Sequence, residues 1–229
     1  MNIDNILTVA VEAEFESAYR IFCSELRRIF PKPKLLLGTK HLIDFLRDRL
    51  KAVPARTVLN SRALYDDKTN SIIVTDHELR QDAVYRMFCF FHELGHVLHA
   101  NLNPFLCSSN FYKLHDSTIL ADQTRGIIYF AVSEGMAQYL AISLSLQHGD
   151  MQLRRVAFSE HRAWSTAVSE FVLHGLKPLH DFDDRCRLGY QFVYQTDPIL
   201  KELEKMILWP PETMEELRNP TAYRARLGI

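Results

Sequence analysis

The sequence predicts a mainly helical α+β protein: a small β-sheet built on a hairpin, packed against one central helix, with a helical C-terminal half. Three observations carry that reading. Apolar residues recur at three- and four-residue spacing over most of the chain, the period of an amphipathic helix. One stretch, residues 62–75, sets turn formers between two short runs of strand character. The chain has 229 residues, 47% hydrophobic and 24% charged, a globular composition that can bury a core and suits one domain. Residues 1–229 are therefore read as a single domain, with a helical N-terminal part over 1–60 and a core over 61–229.

Phe15, Ala18, Tyr19, Phe22, Leu26, Ile29 and Phe30 define the first helix, which Pro31 and Pro33 stop. Leu42, Ile43, Phe45, Leu46 and Leu50 define a shorter second helix that ends before Pro54. In the hairpin, Asp66 to Asn70 turn the chain between the two strand runs. From Glu78 to His99 the helical period returns, with Val84, Met87, Phe88, Phe91, Leu94 and Leu98 facing the core. Asn101, Asn103 and Pro104 end it, and a surface loop is expected to about His115. Asp116 or Ser117 is the expected N-cap of a long helix reaching Gln147, stopped by His148-Gly149-Asp150. Helices near 151–174, 183–195 and 198–208 and a proline-rich tail complete the chain.

Charge and cysteine usage exclude several classes. With 27 basic and 28 acidic side chains there is no overall positive field to hold a polyanion, so nucleic acid is not the expected partner. Cys23, Cys89, Cys107 and Cys186 are scattered without a C-x-x-C pair, which fits a reducing compartment. The N-terminus carries Asp4, lacks a basic region and is interrupted by Glu12, unlike a signal peptide. No apolar run approaches the roughly 18 residues of a membrane span. The expectation is a cytoplasmic protein with no membrane partner.

The chemistry sits in His92-Glu93-Leu94-Gly95-His96, inside the helix expected over 78–99. Histidines at i and i+4 lie one above the other on a helix face, so both imidazoles reach one metal ion, and Glu93 can approach a water bound there. This is the geometry of zinc hydrolysis, in which the metal acidifies water and polarises a carbonyl while the carboxylate moves the proton. A third ligand is needed. His99 lies about 10 Å along the helix axis from His92, too far to share a tetrahedral ion with it. A metzincin-type continuation requires Gly at position 99 and His at position 102, where this chain has His99 and Leu102. Glu134 remains, in the apolar helical stretch Phe130-Ala-Val-Ser-Glu-Gly-Met-Ala-Gln-Tyr-Leu140. A carboxylate there needs a partner, because burying one unpaired is costly, and it completes a His2Glu set with one position open. Gly135 and Ala137 beside it let the two helices approach closely.

H-E-L-G-H followed by S-E-G-M-A-Q-Y-L resembles the gluzincin clan of zinc metallopeptidases, and the small size is most similar to the minigluzincins. The resemblance implies a zincin-like domain and a metalloendopeptidase acting on a peptide or protein substrate. It implies one Zn2+ per chain held by His92, His96 and Glu134, with Glu93 as general base. It also implies a downstream Tyr or His that stabilises the oxyanion: Tyr190, in Arg187-Leu-Gly-Tyr190, or else His174. A second resemblance is to the ImmA/IrrE-type peptidases, through Asn70-Ser-Ile-Ile-Val and Arg86-Met-Phe88 leading into His92. Both families imply the same metal site. The C-terminal tail is similar to that of bacterial gluzincin-like proteins, but Asn219 stands where a His is usual, and the tail is assigned no chemistry.

Other titratable residues are given ordinary roles. Cys89 reads as a core cysteine in Met87-Phe-Cys-Phe-Phe91. His115, His161 and His180 read as surface or loop residues, and Arg27-Arg28 and Arg154-Arg155 as solvated helix faces. The competing reading is a catalytically silent or latent zinc-stabilised module that binds a partner protein; the intact Glu93 counts against it.

Overall fold

The computed structural model describes residues 3–49, 62–106, 114, 118–173, 182–196 and 200–228. Its elements run α1 (Ile3–Glu25), β1 (Lys34–Leu37), α2 (Thr39–Arg49), β2 (Ala63–Asp66), β3 (Ser71–Val74), α3 (Asp76–Leu79), α4 (Ala83–Leu102), a 3-10 turn (Pro104–Leu106), α5 (Leu120–His148), α6 (Met151–Leu173), α7 (Phe182–Thr196), α8 (Leu200–Leu208), α9 (Met214–Arg218) and α10 (Pro220–Leu227). The mainly helical α+β class expected from the sequence is what the chain forms.

The sheet has the order β1-β3-β2. The hairpin pairs antiparallel with Asp66 opposite Ser71. Asp66 closes its turn by accepting from the Lys68 amide at 3.1 Å and the Thr69 hydroxyl at 2.5 Å, while Asn70 takes the left-handed conformation at φ 48°. β1 joins β3 in parallel, Lys34 opposite Ser71. The sheet thus draws a strand from the N-terminal part that the sequence reading made wholly helical. β3, with every residue of Ser71–Val74 buried, is the central strand. β2 forms an edge and touches α4.

Helix α4 starts where Asp82 accepts from the Tyr85 amide at 2.7 Å. The helical region expected over 78–99 is therefore two helices, α3 and α4. α1 ends at Glu25 rather than running to Phe30, and Arg27 turns left-handed at φ 49°, which leaves Ile29 90% exposed. Arg86 fastens α1 to α4: its guanidinium donates twice to Glu14, at 2.7 Å each, and also to the Leu79 and Gln81 carbonyls. This buried pair is satisfied on both sides, the condition under which such a pair is tolerated inside a protein.

α5 is the core helix, flanked by α4, α6 and α7. It is long and apolar enough to cross a membrane, but 67% of its most apolar window is buried against these neighbours. Small residues set the crossings. A Cβ on Gly95 would stand 2.8 Å from the Ala137 Cα, so Gly95 and Ala137 make the α4–α5 approach. Gly135 faces α7 instead: a Cβ there would meet Gly189 at 2.1 Å, and one on Gly189 would lie 1.6 Å from the Ala131 carbonyl oxygen. Gly135 thus serves a crossing other than the one the sequence suggested. The helices expected near 151–174, 183–195 and 198–208 match α6, α7 and α8 closely. The tail departs from expectation by forming α9 and α10, capped by Thr213 and Asn219, with Leu217 and Tyr223 in the core.

Candidate metal centre

α4 places His92 and His96 on one face, and α5 brings Glu134 opposite them. His92 Nε2 and His96 Nε2 are 3.3 Å apart; Glu134 Oε2 is 3.4 Å from the first and Glu134 Oε1 3.5 Å from the second. Ligands about 2.0–2.2 Å from a tetrahedral ion lie about 3.3–3.6 Å from one another. Each Glu134 oxygen faces one imidazole at about that separation, and the group could hold a metal ion. All three side chains are about a fifth exposed, which leaves one side of the group open.

The electrostatics favour a cation at this point. Burial disfavours charge on His92, but the Glu134 hydrogen bond and charge outweigh it and hold its pKa up at about 8. Burial and the neighbouring His92 push His96 down to about 4, against the pull of Glu134. Glu134 is also penalised by burial, yet the two imidazoles keep its pKa below the usual carboxylate value. A carboxylate thus shares one positive charge with two imidazoles. A metal ion entering here displaces that proton, so affinity rises with pH.

Each imidazole is oriented from behind. His92 Nδ1–H donates to Gln138 Oε1 at 3.1 Å, and Gln138 Nε2 donates to Glu160 Oε2 at 3.3 Å. His96 Nδ1–H donates to Ser133 Oγ at 3.1 Å. The same hydroxyl accepts from His99 Nδ1 at 2.9 Å and donates toward the Leu106 carbonyl at 3.5 Å. His99 is therefore not a ligand but a buried imidazole behind one, and its Nε2 has no partner among the described residues.

Glu93 lines a cavity of about 450 Å³ whose wall also carries His92, Glu134, Arg62, Tyr85, Trp164 and Glu160. Burial raises its carboxyl to about 7, partly offset by the charge of His92. A carboxyl group near neutrality beside a metal site is suited to accept and return a proton. Cys89, expected in the core, lines this cavity too, but burial holds its pKa well above the ordinary thiol value, which disfavours the reactive thiolate.

Tyr190 is not brought to the metal group. It is 1% exposed, does not line the cavity, and its hydroxyl is 2.7 Å from His161 Nδ1. The Gly-Tyr pattern reads as a helix, but α7 turns that ring toward α6, where Trp164 and His161 hold it. His161, expected on the surface, is accordingly half-buried and partnered. His174, His115 and His180 lie outside the described residues. The residues the sequence reading missed are Ser133, Gln138 and Glu160. Gln138 had a signal: it is a polar residue one turn after Glu134 in an apolar run, hence on the same face.

Comparison of the chain with protein-family models, curated proteins and solved structures finds no match in any of the three.

Proposed function

We propose that the protein is a zinc-dependent metallopeptidase. The observation that carries this is the set of 3.3–3.5 Å separations among His92, His96 and Glu134, with Glu93 on the adjacent cavity wall. Two imidazoles and one carboxylate, with an open side, are the donor set of hydrolytic zinc rather than of calcium or magnesium, which take oxygen ligands. Zinc bound there supplies Lewis acidity, acidifying water and polarising a carbonyl. Glu93 accepts the proton of the attacking water as the new C–O bond forms, and returns it to the nitrogen as the C–N bond breaks. Arg62 and Arg187, both on the cavity wall, are the cations among the described residues there that can face the developing oxyanion. β2, an edge strand of the described sheet whose first residue Ala63 lines the cavity, suits a substrate bound alongside it in extended form. The resemblance of H-E-L-G-H and S-E-G-M-A to the gluzincins points the same way.

One observation favours the competing reading of a zinc-stabilised interaction module without turnover: Tyr190 is engaged by His161. Incubating a complex peptide mixture with wild type and Glu93→Gln separates the two. Cleavage by wild type, abolished by chelation and by Glu93→Gln although that variant keeps its zinc, supports the peptidase. Identical peptide profiles for both proteins, each loaded with zinc, would favour the module.

A further inference from the structure

Glu160 lies on α6, away from the metal group, yet three donors converge on its carboxylate. Tyr85 Oη–H reaches Oε1 at 3.3 Å, and Gln138 Nε2 and Trp164 Nε1 reach Oε2 at 3.3 and 3.2 Å. An indole N–H only donates, a carboxylate only accepts, and an amide does both, at opposite ends. Glu160 therefore decides which end of the Gln138 amide faces inward. With Nε2 drawn to Glu160, Oε1 must face His92, where it stands 3.1 Å from Nδ1. That places the hydrogen of His92 on Nδ1 and leaves the Nε2 lone pair for the ion. A reversed amide would set its N–H groups against the Nδ1–H of a metal-bound imidazole, two donors with no acceptor between them.

We infer that Glu160 is a positioning residue for the metal centre, acting through the Gln138 amide to hold His92 in the tautomer that binds metal. The inference rests on the metallopeptidase reading only in that His92 Nε2 must be a ligand; it needs no turnover. Trp164 and Tyr85, fixed by the same carboxylate, tie that orientation to the cavity wall.

The test measures zinc affinity by chelator competition in wild type, Glu160→Ala and the double variant Glu160→Ala with Gln138→Glu. Removing Glu160 frees the amide to reverse, and affinity should fall about 10- to 100-fold, the usual effect of losing a group behind a ligand. A carboxylate at position 138 accepts from His92 in either orientation and needs no anchor, so the double variant should regain most of the loss. Any loss of melting temperature from the freed Tyr85 and Trp164 should remain unrepaired in the double variant. A purely structural Glu160 gives the opposite pattern: zinc affinity follows melting temperature, and Gln138→Glu restores neither. Zinc bound equally well by wild type and Glu160→Ala would overturn this inference alone. A wild type with no zinc affinity would overturn it together with the metallopeptidase reading.

Discussion

The two imidazoles of the metal group are held in unlike surroundings. His92 is backed by Gln138, itself buried, and through it by the half-buried Glu160, long side chains that line the cavity. His96 is backed by Ser133, a short hydroxyl sealed in the core that also takes His99 and reaches the Leu106 carbonyl. Both arrangements give Nδ1–H an acceptor, which a metal-binding imidazole needs. The difference lies in what else depends on them. On the cavity side, groups that lose a partner can turn to water, so damage there falls on the site. On the core side they have nothing to turn to, so the fold suffers with the site.

The largest effect is expected where the core side is positioned. Gly189→Ala forces a methyl against the Ala131 carbonyl, 1.6 Å from the ideal Cβ, so α7 and α5 must separate. Overpacking commonly costs about 1–3 kcal/mol and more where backbone is the obstacle; about 3 kcal/mol or more is expected in urea unfolding, with weaker zinc binding because Glu134 rides on α5. An unchanged midpoint would show that the helices are less constrained than the crossing implies.

Ser133→Ala comes next. It strips the acceptor from the buried His99 and the half-buried His96, at about 1–3 kcal/mol for each group left unpaired, and should lower both the unfolding midpoint and zinc affinity. Glu160→Ala, by contrast, should lower affinity out of proportion to stability. If both variants lost stability and affinity in the same ratio, the contrast between the two sides would fail.

The smallest effect concerns a buried carboxyl group beside Cys89 and Arg62, both of which line the cavity. Glu78 is 1% exposed, and among the described residues its oxygens have no hydrogen-bonding partner beyond the Cys89 thiol, a weak donor. Burial raises its pKa above the ordinary 4.5. A carboxyl raised in the folded state favours folding below its unfolded pKa, and that contribution drains away as pH climbs through the folded value. Glu78→Gln should therefore stabilise the metal-free protein by about 1–2 kcal/mol at neutral pH, with the gain shrinking to nothing below about pH 4.5. Paired unfolding curves at acid and neutral pH check this; a gain equal at both would remove titration as the cause.

Much of this arrangement was legible in the sequence because it rests on periodicity. α2, the hairpin and α6 to α8 follow from apolar spacing and turn formers, and the metal group follows from H-E-L-G-H plus one carboxylate in an apolar helix. What stayed hidden depends on contacts between distant segments. Lys34–Leu37 has no alternation to mark it as a strand; it becomes one because β3 offers it an edge. The tail read as irregular from its prolines, yet Thr213 caps α9 by accepting from the Glu216 amide while the Glu216 carboxylate accepts from the Glu212 amide, and Pro220 sits at the start of α10, where a missing N–H costs nothing. Tyr190 shows the limit most clearly: the pattern around it fixes a helix but not which neighbour its hydroxyl meets. Glu160 illustrates the same limit, since its role exists only once α4, α5 and α6 are packed together.

The central claim is that His92, His96 and Glu134 form one zinc site. Elemental analysis of wild type and Glu134→Ala, prepared without chelator and at matched folding, tests it most directly. About one zinc per chain in wild type and a large loss in the variant is the expected result. No zinc in wild type, or zinc retained in full without Glu134, would contradict it.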